Sequence, residues 1–172
     1  LGAIERADWI YLSSLGDTQL QEKIISLAAR YDIKVMLNPA GTELQEKVKL
    51  KSLLEDVEIL ALNKEEAKKL VSGESLEELV RHATNYCPVV IVSDGPKGVV
   101  ATDSKEIVRA GMYEDVPVVD RTGAGDAFGS GFLSQWSQGK GLSESIIFAS
   151  ANSTSVVTKI GAKDGILQKD VK

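Results

Sequence analysis

The sequence predicts an α/β protein in which helices cover both faces of a mostly parallel central sheet, giving three layers. Short apolar runs alternate with segments of helical periodicity along the first 92 residues. These runs, such as 89–92, are continuously apolar, which is typical of strands buried on both faces of a parallel sheet. The chain has 172 residues, 43% of them hydrophobic, which is enough for one domain with its own core.

The first half of the chain is predicted to contain four strands, each followed by helical sequence. Asp17 is a predicted N-cap, and its helix extends to Tyr31 with Leu20 on the apolar face. Ser75 and Glu78 have the spacing of a capping box. The predicted strands lie at 8–14, 34–38, 57–62 and 89–92, and the later helices at 43–55, 64–71 and 75–85.

The periodicity changes after the fourth strand. Residues 98–102 and 106–112 are predicted to form a hairpin, because a short polar turn joins two strand-like runs. Val116–Val119 is predicted to be a further short strand. Two helices are predicted to follow, at about 125–138 and 143–158, separated by glycines that end the first one.

Composition excludes several classes of protein. A net charge of −5 does not favour nucleic acid or an anionic membrane surface as a partner. One cysteine and one histidine, Cys87 and His82, exclude a disulfide framework and a Cys- or His-rich metal site. No apolar run is long enough for a transmembrane helix, and no signal peptide is present, so a cytoplasmic location is expected. The missing initiator methionine indicates a piece of a longer chain.

Between the predicted strand at 116–119 and the next helix lies a glycine-bearing turn, Asp120-Arg121-Thr122-Gly123-Ala124-Gly125-Asp126. First-turn N–H groups lack intrahelical partners, and the helix dipole favours an anion there. Two glycines allow an anion to approach the backbone closely. Asp126 is then either the cap of this helix or a base that faces the reaction partner of the anion. The turn is neither a dinucleotide fingerprint nor a Walker A loop.

This turn, followed by Ala127-Phe128 and the small residues at 129–131, resembles the C-terminal signature of the ribokinase (PfkB) family of carbohydrate kinases. The resemblance implies a ribokinase-like, Rossmann-like fold. It implies that Asp126 is the catalytic base, and that the backbone of Gly123, Ala124 and Gly125 forms an anion hole for the transferred phosphoryl group. Arg121 departs from the family, which more often has Thr, Pro or Ser at that position.

Asn63 and Glu66 have two compatible interpretations. Their spacing at the predicted start of the helix at 64–71 is typical of a capping-box pair. The resemblance implies an Asn-x-x-Glu motif, in which Asn63 belongs to the nucleotide site and Glu66 positions Mg²⁺ near the phosphates.

Further nucleotide contacts are implied by the same resemblance. Ser93, Gly95 and Gly98 match a Thr/Ser-x-Gly-x-x-Gly stretch that contacts phosphates and ribose, although glycine and proline here also suit a plain β-turn. Asn152 is implied to lie beside the adenine. Asp120, with backbone carbonyls near 161–162, is implied to hold a monovalent cation, usually K⁺.

The resemblance covers residues 1–172, which match the C-terminal nucleotide-binding and catalytic portion of a ribokinase-like kinase. The N-terminal part and the lid of the family are missing, so the chain alone is expected to be inactive. The implied function is ATP-dependent phosphoryl transfer to a hydroxyl of a sugar. A nucleoside kinase of the same fold and a catalytically silent nucleotide-binding module remain alternatives. The implied partners are ATP, a small sugar or nucleoside, and a second copy in the full-length protein.

Overall fold

A computed structural model describes residues 6–111 and 116–167 of the chain. Six strands and six helices follow one another in these residues, with short 3₁₀ turns at Leu54–Asp56 and Gly95–Lys97. The strands are β1 (Trp9–Ser13), β2 (Lys34–Asn38), β3 (Ile59–Asn63), β4 (Val89–Ser93), β5 (Val99–Thr102) and β6 (Ile107–Ala110), and the helices are α1 (Thr18–Arg30), α2 (Lys47–Leu53), α3 (Lys64–Leu70), α4 (Leu76–Ala83), α5 (Ala124–Trp136) and α6 (Leu142–Val157).

One six-stranded sheet has its strands in chain order, β1 to β6. Strands β1 to β4 run parallel to one another, and β5 is antiparallel to β4. The register pairs Asn63 with Ser93 at the carboxyl ends of β3 and β4. The prediction of a mostly parallel sheet is therefore confirmed, and two predicted site residues lie side by side at its carboxyl edge.

The chain divides into two compact units. The first contains the described residues up to Gly95 together with Val99–Ile107, and the second contains Pro96–Gly98 with the described residues from Val108 onward.

In the first unit both faces of the central strands are buried. Successive side chains of a strand point to opposite faces, and Leu60 and Ile59 are both fully buried. Burial of one such side chain contributes about 1.5–3 kcal/mol. Cys87 lies in this core, where its Sγ is 3.3 Å from the carbonyl oxygen of Val57. Burial raises the pKa of the Cys87 thiol to about 12.

Helix α1 is capped as predicted, but its first apolar residue is not buried. The Asp17 carboxylate accepts hydrogen bonds from the backbone N–H groups of Gln19 and Leu20. The buried residues of the helix are Gln21, Ile25 and Ala28. Leu20 is 45% exposed, so the prediction that it lies on the buried face was wrong.

The helix predicted at 43–55 begins only at Lys47. Glu43 is buried, and its carboxylate accepts hydrogen bonds from the N–H groups of Leu15 and Ala40. This carboxylate joins the loops after β1 and β2, and residues 41–45 lie in turns instead of helix. Val48, in the first turn of α2, is 87% exposed.

In the second unit α5 and α6 pack closely along each other. Gly131 allows this approach, because a Cβ there would lie 3.1 Å from the Asn152 amide nitrogen and 3.3 Å from the Ala149 Cα. Phe132 and Ile146 are fully buried. The rings of Phe132 and Trp136 stack with their centroids 5.6 Å apart.

The strand predicted at Val116–Val119 is wrong. No strand is assigned to 116–120 in the described chain. The N–H groups of Val119 and Asp120 both donate to the carbonyl of Val157, at 2.8 and 3.2 Å. This segment therefore ends on the last turn of α6, where its N–H groups satisfy a helix-terminal carbonyl. None of the described helices has both the length and the apolar character needed to cross a membrane.

Candidate active site

The start of α5 is shaped by Gly123. This residue is the N-cap, with φ 78° and ψ 0°, in the left-handed region that favours glycine. A Cβ at this position would also lie 2.6 Å from the Cβ of Ala162 and 2.9 Å from its carbonyl oxygen. Conformation and space both require glycine here, so Gly123 allows the loop to turn sharply into the helix.

Backbone N–H groups are open at this helix start. Ala124 N–H donates to the Arg121 carbonyl at 3.3 Å, and Ala127 N–H donates to the Gly123 carbonyl at 2.8 Å. Within the described part of the chain, no group accepts a hydrogen bond from the N–H of Gly125 or Asp126. Both residues are exposed. The N–H of Asp126, which the sequence reasoning missed, thus joins that of Gly125 as a donor for an anion.

Asp126 is not the N-cap of α5, because Gly123 occupies that position without any side-chain cap. Asp126 lies in the first helical turn and is exposed. In the described residues its carboxylate accepts no hydrogen bond from protein groups, while its backbone carbonyl accepts one from the Ser130 hydroxyl at 2.7 Å. The carboxylate is therefore available to accept a proton from a bound molecule.

The Asp120 carboxylate accepts two hydrogen bonds that hold the loop preceding α5. One carboxylate oxygen accepts from Thr122 N–H at 2.9 Å, and the other accepts from Gly161 N–H at 3.0 Å. The N–H and hydroxyl of Thr122, followed by the N–H of Gly161, lower the pKa of Asp120. The structure thus brings Asp120 to the 161–162 turn, with its carboxylate bonded to main chain.

Helix α6 contacts the first turn of α5 at two carbonyls. The Ser153 hydroxyl donates to the Ala124 carbonyl at 2.9 Å. The Asn152 amide donates to the Ala127 carbonyl at 2.7 Å and accepts from Leu167 N–H at 2.8 Å. Asn152 is only 2% exposed. Both ends of its amide bind main chain, so the structure gives it a role in joining α5, α6 and the segment at Leu167.

A cavity of about 290 Å³ lies beside Asn152, between α5, α6 and residues 166–167. Its apolar lining comes from Phe148, Ile166 and Leu167. The hydroxyl of Ser134, which also lines it, is bonded to the Gly131 carbonyl.

In the first unit, Asn63 and Glu66 form the predicted capping box. Asn63 Oδ1 accepts from Glu66 N–H at 2.9 Å, and a Glu66 carboxylate oxygen accepts from Asn63 N–H at 2.8 Å. Burial raises the pKa of Glu66, although these bonds partly oppose the shift. A half-buried carboxylate with a raised pKa is stabilised by a nearby cation, so Glu66 fits a role beside Mg²⁺.

Ser93 and Gly95 lie at the end of β4 and at the start of the following 3₁₀ turn. Next to them, Asp94 and Lys64 form an ion pair at 3.5 Å. The structure therefore places Ser93 and Gly95 at the same sheet edge as Asn63.

Gly98, in the second unit, has φ 93°, and a Cβ there would lie 2.3 Å from the carbonyl oxygen of Ala110. Local structure alone thus explains this glycine. The described residues contain no group of three His, Cys, Asp or Glu side chains that could hold a metal ion.

Comparison with known proteins places the chain in a family. Residues 2–169 match the family model described as "pfkB family carbohydrate kinase". The chain belongs to the PfkB family of carbohydrate kinases. Among curated proteins, this PfkB chain is 31% identical to a ribokinase from Lactococcus lactis over 134 residues, which are 78% of the chain and 42% of that protein. It is 29% identical to a cytidine kinase from Thermococcus kodakarensis, covering 82% of the chain and 52% of that protein.

Solved structures agree with this assignment of fold. A putative ribokinase II from E. coli, solved in complex with ATP and Mg²⁺, superposes with a TM-score of 0.83 at 20% identity. The superposition covers 96% of the PfkB chain and 57% of that structure. The predicted ribokinase-like fold is thereby confirmed. The chain spans about half the length of the relatives that it matches.

Proposed function

We propose that this chain carries the ATP site and the catalytic base of a kinase that phosphorylates a hydroxyl of a sugar. The observation that carries the proposal is the start of α5. There the Asp126 carboxylate, which binds no other group among the described residues, lies beside backbone N–H groups that are free to donate. A helix start of this kind suits a phosphoryl group, and a base beside it suits the hydroxyl that attacks.

The reaction follows from these groups. The acceptor oxygen attacks the γ-phosphorus of ATP as the bond from that phosphorus to the β,γ-bridging oxygen breaks. The Asp126 carboxylate takes the proton of the acceptor hydroxyl. The N–H groups of Gly125 and Asp126, with the backbone of Gly123 and Ala124 beside them, hold the phosphoryl oxygens, on which charge is spread in the transition state.

We also propose nucleotide contacts for other residues of the chain. In the first unit, the proposed contacts are Asn63, Ser93 and Gly95. In the second unit they are Gly98 and Asn152, in addition to the structural roles described for these two residues above. Glu66 holds Mg²⁺, for which its half-buried carboxylate is suited. When bound, Mg²⁺ offsets the negative charge on the β- and γ-phosphate oxygens. Asp120, whose carboxylate accepts a hydrogen bond from the Gly161 N–H, is the candidate ligand of K⁺.

A nucleoside is the second candidate acceptor, because curated relatives of similar identity include both a ribokinase and a cytidine kinase. The residues of this chain that we assign to the reaction serve either acceptor equally well. A catalytically silent nucleotide-binding module is less well supported, since such a protein has no use for a base at Asp126.

Calorimetric titration of MgATP into the 172-residue chain, with and without K⁺, tests the proposal. We expect a dissociation constant for MgATP in the micromolar to millimolar range. Asp126→Asn should change this constant by no more than about twofold, because the base acts on the acceptor. We expect no product when sugars or nucleosides are added to this chain, and product when the longer protein is used. A chain that is folded by circular dichroism but binds no MgATP would contradict the proposal.

A further inference from the structure

The hydroxyl of Ser153 makes an unusual contact for a helical serine. Ser130, Ser134 and Ser145 each donate to a carbonyl three or four residues earlier in the chain, which is common in helices. Ser153, in contrast, crosses from α6 to α5 and donates to the Ala124 carbonyl at 2.9 Å, 29 residues away in sequence. This bond therefore acts on another helix, at its first residue.

The Ala124 carbonyl and the Gly125 N–H belong to the same peptide group. In a planar trans peptide these two groups point in opposite directions, so a bond that fixes the carbonyl also fixes the N–H. The carbonyl is drawn toward α6, and the N–H consequently points away from α6. That N–H has no acceptor in the part of the chain that the structure describes.

The same bond also strengthens the donor. A carbonyl that accepts a hydrogen bond polarises its peptide, and the N–H at the other end becomes a better donor. A Cβ added at Gly125 would meet no atom within 4 Å outside the helix's own backbone. Ser153 therefore adds, from α6, a second restraint to a peptide that the first turn of α5 already holds.

We propose that Ser153 is a positioning residue that orients Gly125 N–H toward the γ-phosphoryl group of ATP. The proposal rests on the proposed function, in which this N–H holds a phosphoryl oxygen. Ser153 itself touches neither the nucleotide nor the acceptor.

The test compares affinities for MgATP and MgADP, measured by calorimetry, with the Gly125 amide followed by ¹⁵N NMR. MgADP lacks the γ-phosphoryl group, so it does not use this donor. We expect Ser153→Ala to weaken MgATP binding about fivefold, to leave MgADP binding unchanged, and to reduce the shift of the Gly125 amide on MgATP binding. Ser153→Thr, which keeps the hydroxyl, should restore both properties.

Two controls separate positioning from stability. Ser145→Ala removes a hydroxyl-to-carbonyl bond of the same kind, 2.9 Å long, at the other end of α6, and should change neither affinity. Ser153→Val is nearly isosteric with Ser153→Thr, so this pair tests the hydroxyl even if alanine disturbs folding.

The outcomes are distinct. Equal weakening of MgATP and MgADP, or an unchanged MgATP affinity and Gly125 shift in Ser153→Ala, would overturn the role of Ser153 and leave the proposed function standing. Absence of MgATP binding in the wild-type chain would overturn the proposed function itself, and the role of Ser153 with it.

Discussion

Helices α3 and α5 both carry an acidic residue at the third helical position, Glu66 in one and Asp126 in the other. In α3 the N-cap is Asn63, whose side chain and backbone bind Glu66 reciprocally. In α5 the N-cap is Gly123, which has no side chain to offer. The same acidic position is thus engaged in capping at one helix and left open at the other.

This difference shows how the N–H groups and the acidic side chain of a helix start can remain available to bind a ligand. A side-chain N-cap stabilises a helix by about 1 kcal/mol, and α5 lacks that contribution. Its first turn is instead held from outside, by Ser153 and Asn152 at two carbonyls and by Asp120 in the preceding loop. The N–H groups and the Asp126 carboxylate can therefore face a ligand without loss of order.

The largest effect is expected from Asp126→Asn in the full-length protein. If the open carboxylate is the base, kcat should fall by about 10²–10⁴-fold while the KM for ATP stays nearly constant. Steady-state kinetics that follow the formation of phosphorylated acceptor measure both parameters. Glu144→Gln, at an exposed acid that pairs with Lys140 at the start of α6, is the matched control and should keep full activity. An undiminished kcat in Asp126→Asn would refute the assignment.

A second substitution tests whether Gly123 is required for space as well as for conformation. Gly123→Ala should destabilise the chain by about 3 kcal/mol, since a positive φ costs about 1–2 kcal/mol and the contact with Ala162 adds to it. Gly139 has nearly the same φ, 79°, but an added Cβ meets nothing within 4 Å. Gly139→Ala should therefore cost only about 1 kcal/mol. Equal costs in chemical denaturation would mean that Ala162 moves aside freely.

The capping box of α3 can be compared with that of α4, where Ser75 and Glu78 form the same pair of bonds. Asn63→Ala and Ser75→Ala should each lower the free energy of unfolding by about 1 kcal/mol. If Asn63 also contacts the nucleotide, only Asn63→Ala should weaken MgATP binding. Thermal unfolding and calorimetry on both variants give the comparison, and equal affinities would restrict Asn63 to capping.

The smallest effect concerns pH. Burial raises the pKa of Glu66, so the folded chain holds this proton more tightly than the unfolded chain. Its contribution to stability is complete below the unfolded pKa near 4.3 and declines as pH rises through the folded pKa. Glu66→Gln, which keeps a capping acceptor, should therefore raise stability at pH 7 by about 0.5 kcal/mol. Urea unfolding at pH 4 and pH 7 checks this, and a loss of stability at pH 7 would contradict it.

Asp120 should behave in the opposite way. Its folded pKa is lowered, so its contribution is present above the unfolded pKa near 3.9 and is lost as pH falls through the folded value. Asp120→Asn should therefore reduce stability at pH 7 and have less effect in acid. Unfolding curves at both pH values measure this. The same loss at both values would contradict the lowered pKa.

Much of the sheet could be predicted from the sequence because its strands are continuous apolar runs. The predicted strand at 34–38 agrees with β2 at both ends, and the predicted cap at Asp17 is confirmed. Val116–Val119 has the composition of a strand. However, the N–H groups of Val119 and the following Asp120 donate to the carbonyl of Val157, which is distant in sequence and ends α6. Such long-range competition has no local pattern.

In the candidate site, too, local features could be predicted from the sequence and tertiary contacts could not. The loop with Asp126 could be found because glycine spacing and a helix start are local features. The role of Ser153 could not be found, because it depends on how α6 lies against α5. The burial that raises the pKa of Glu66 likewise depends on tertiary packing.

The rate at which the Cys87 thiol is labelled can report local opening of the first unit. Cys87 is the chain's single cysteine, it is 1% exposed, and its high pKa leaves almost no thiolate at neutral pH. A thiol reagent can reach it only when the surrounding strands separate, and the rate of labelling then reports how often they do so. Ligands that bind the folded first unit should slow this labelling in proportion to the stability they add. Occupancy of the sheet's carboxyl edge thus becomes measurable through one sulfur atom, without an acceptor and without turnover.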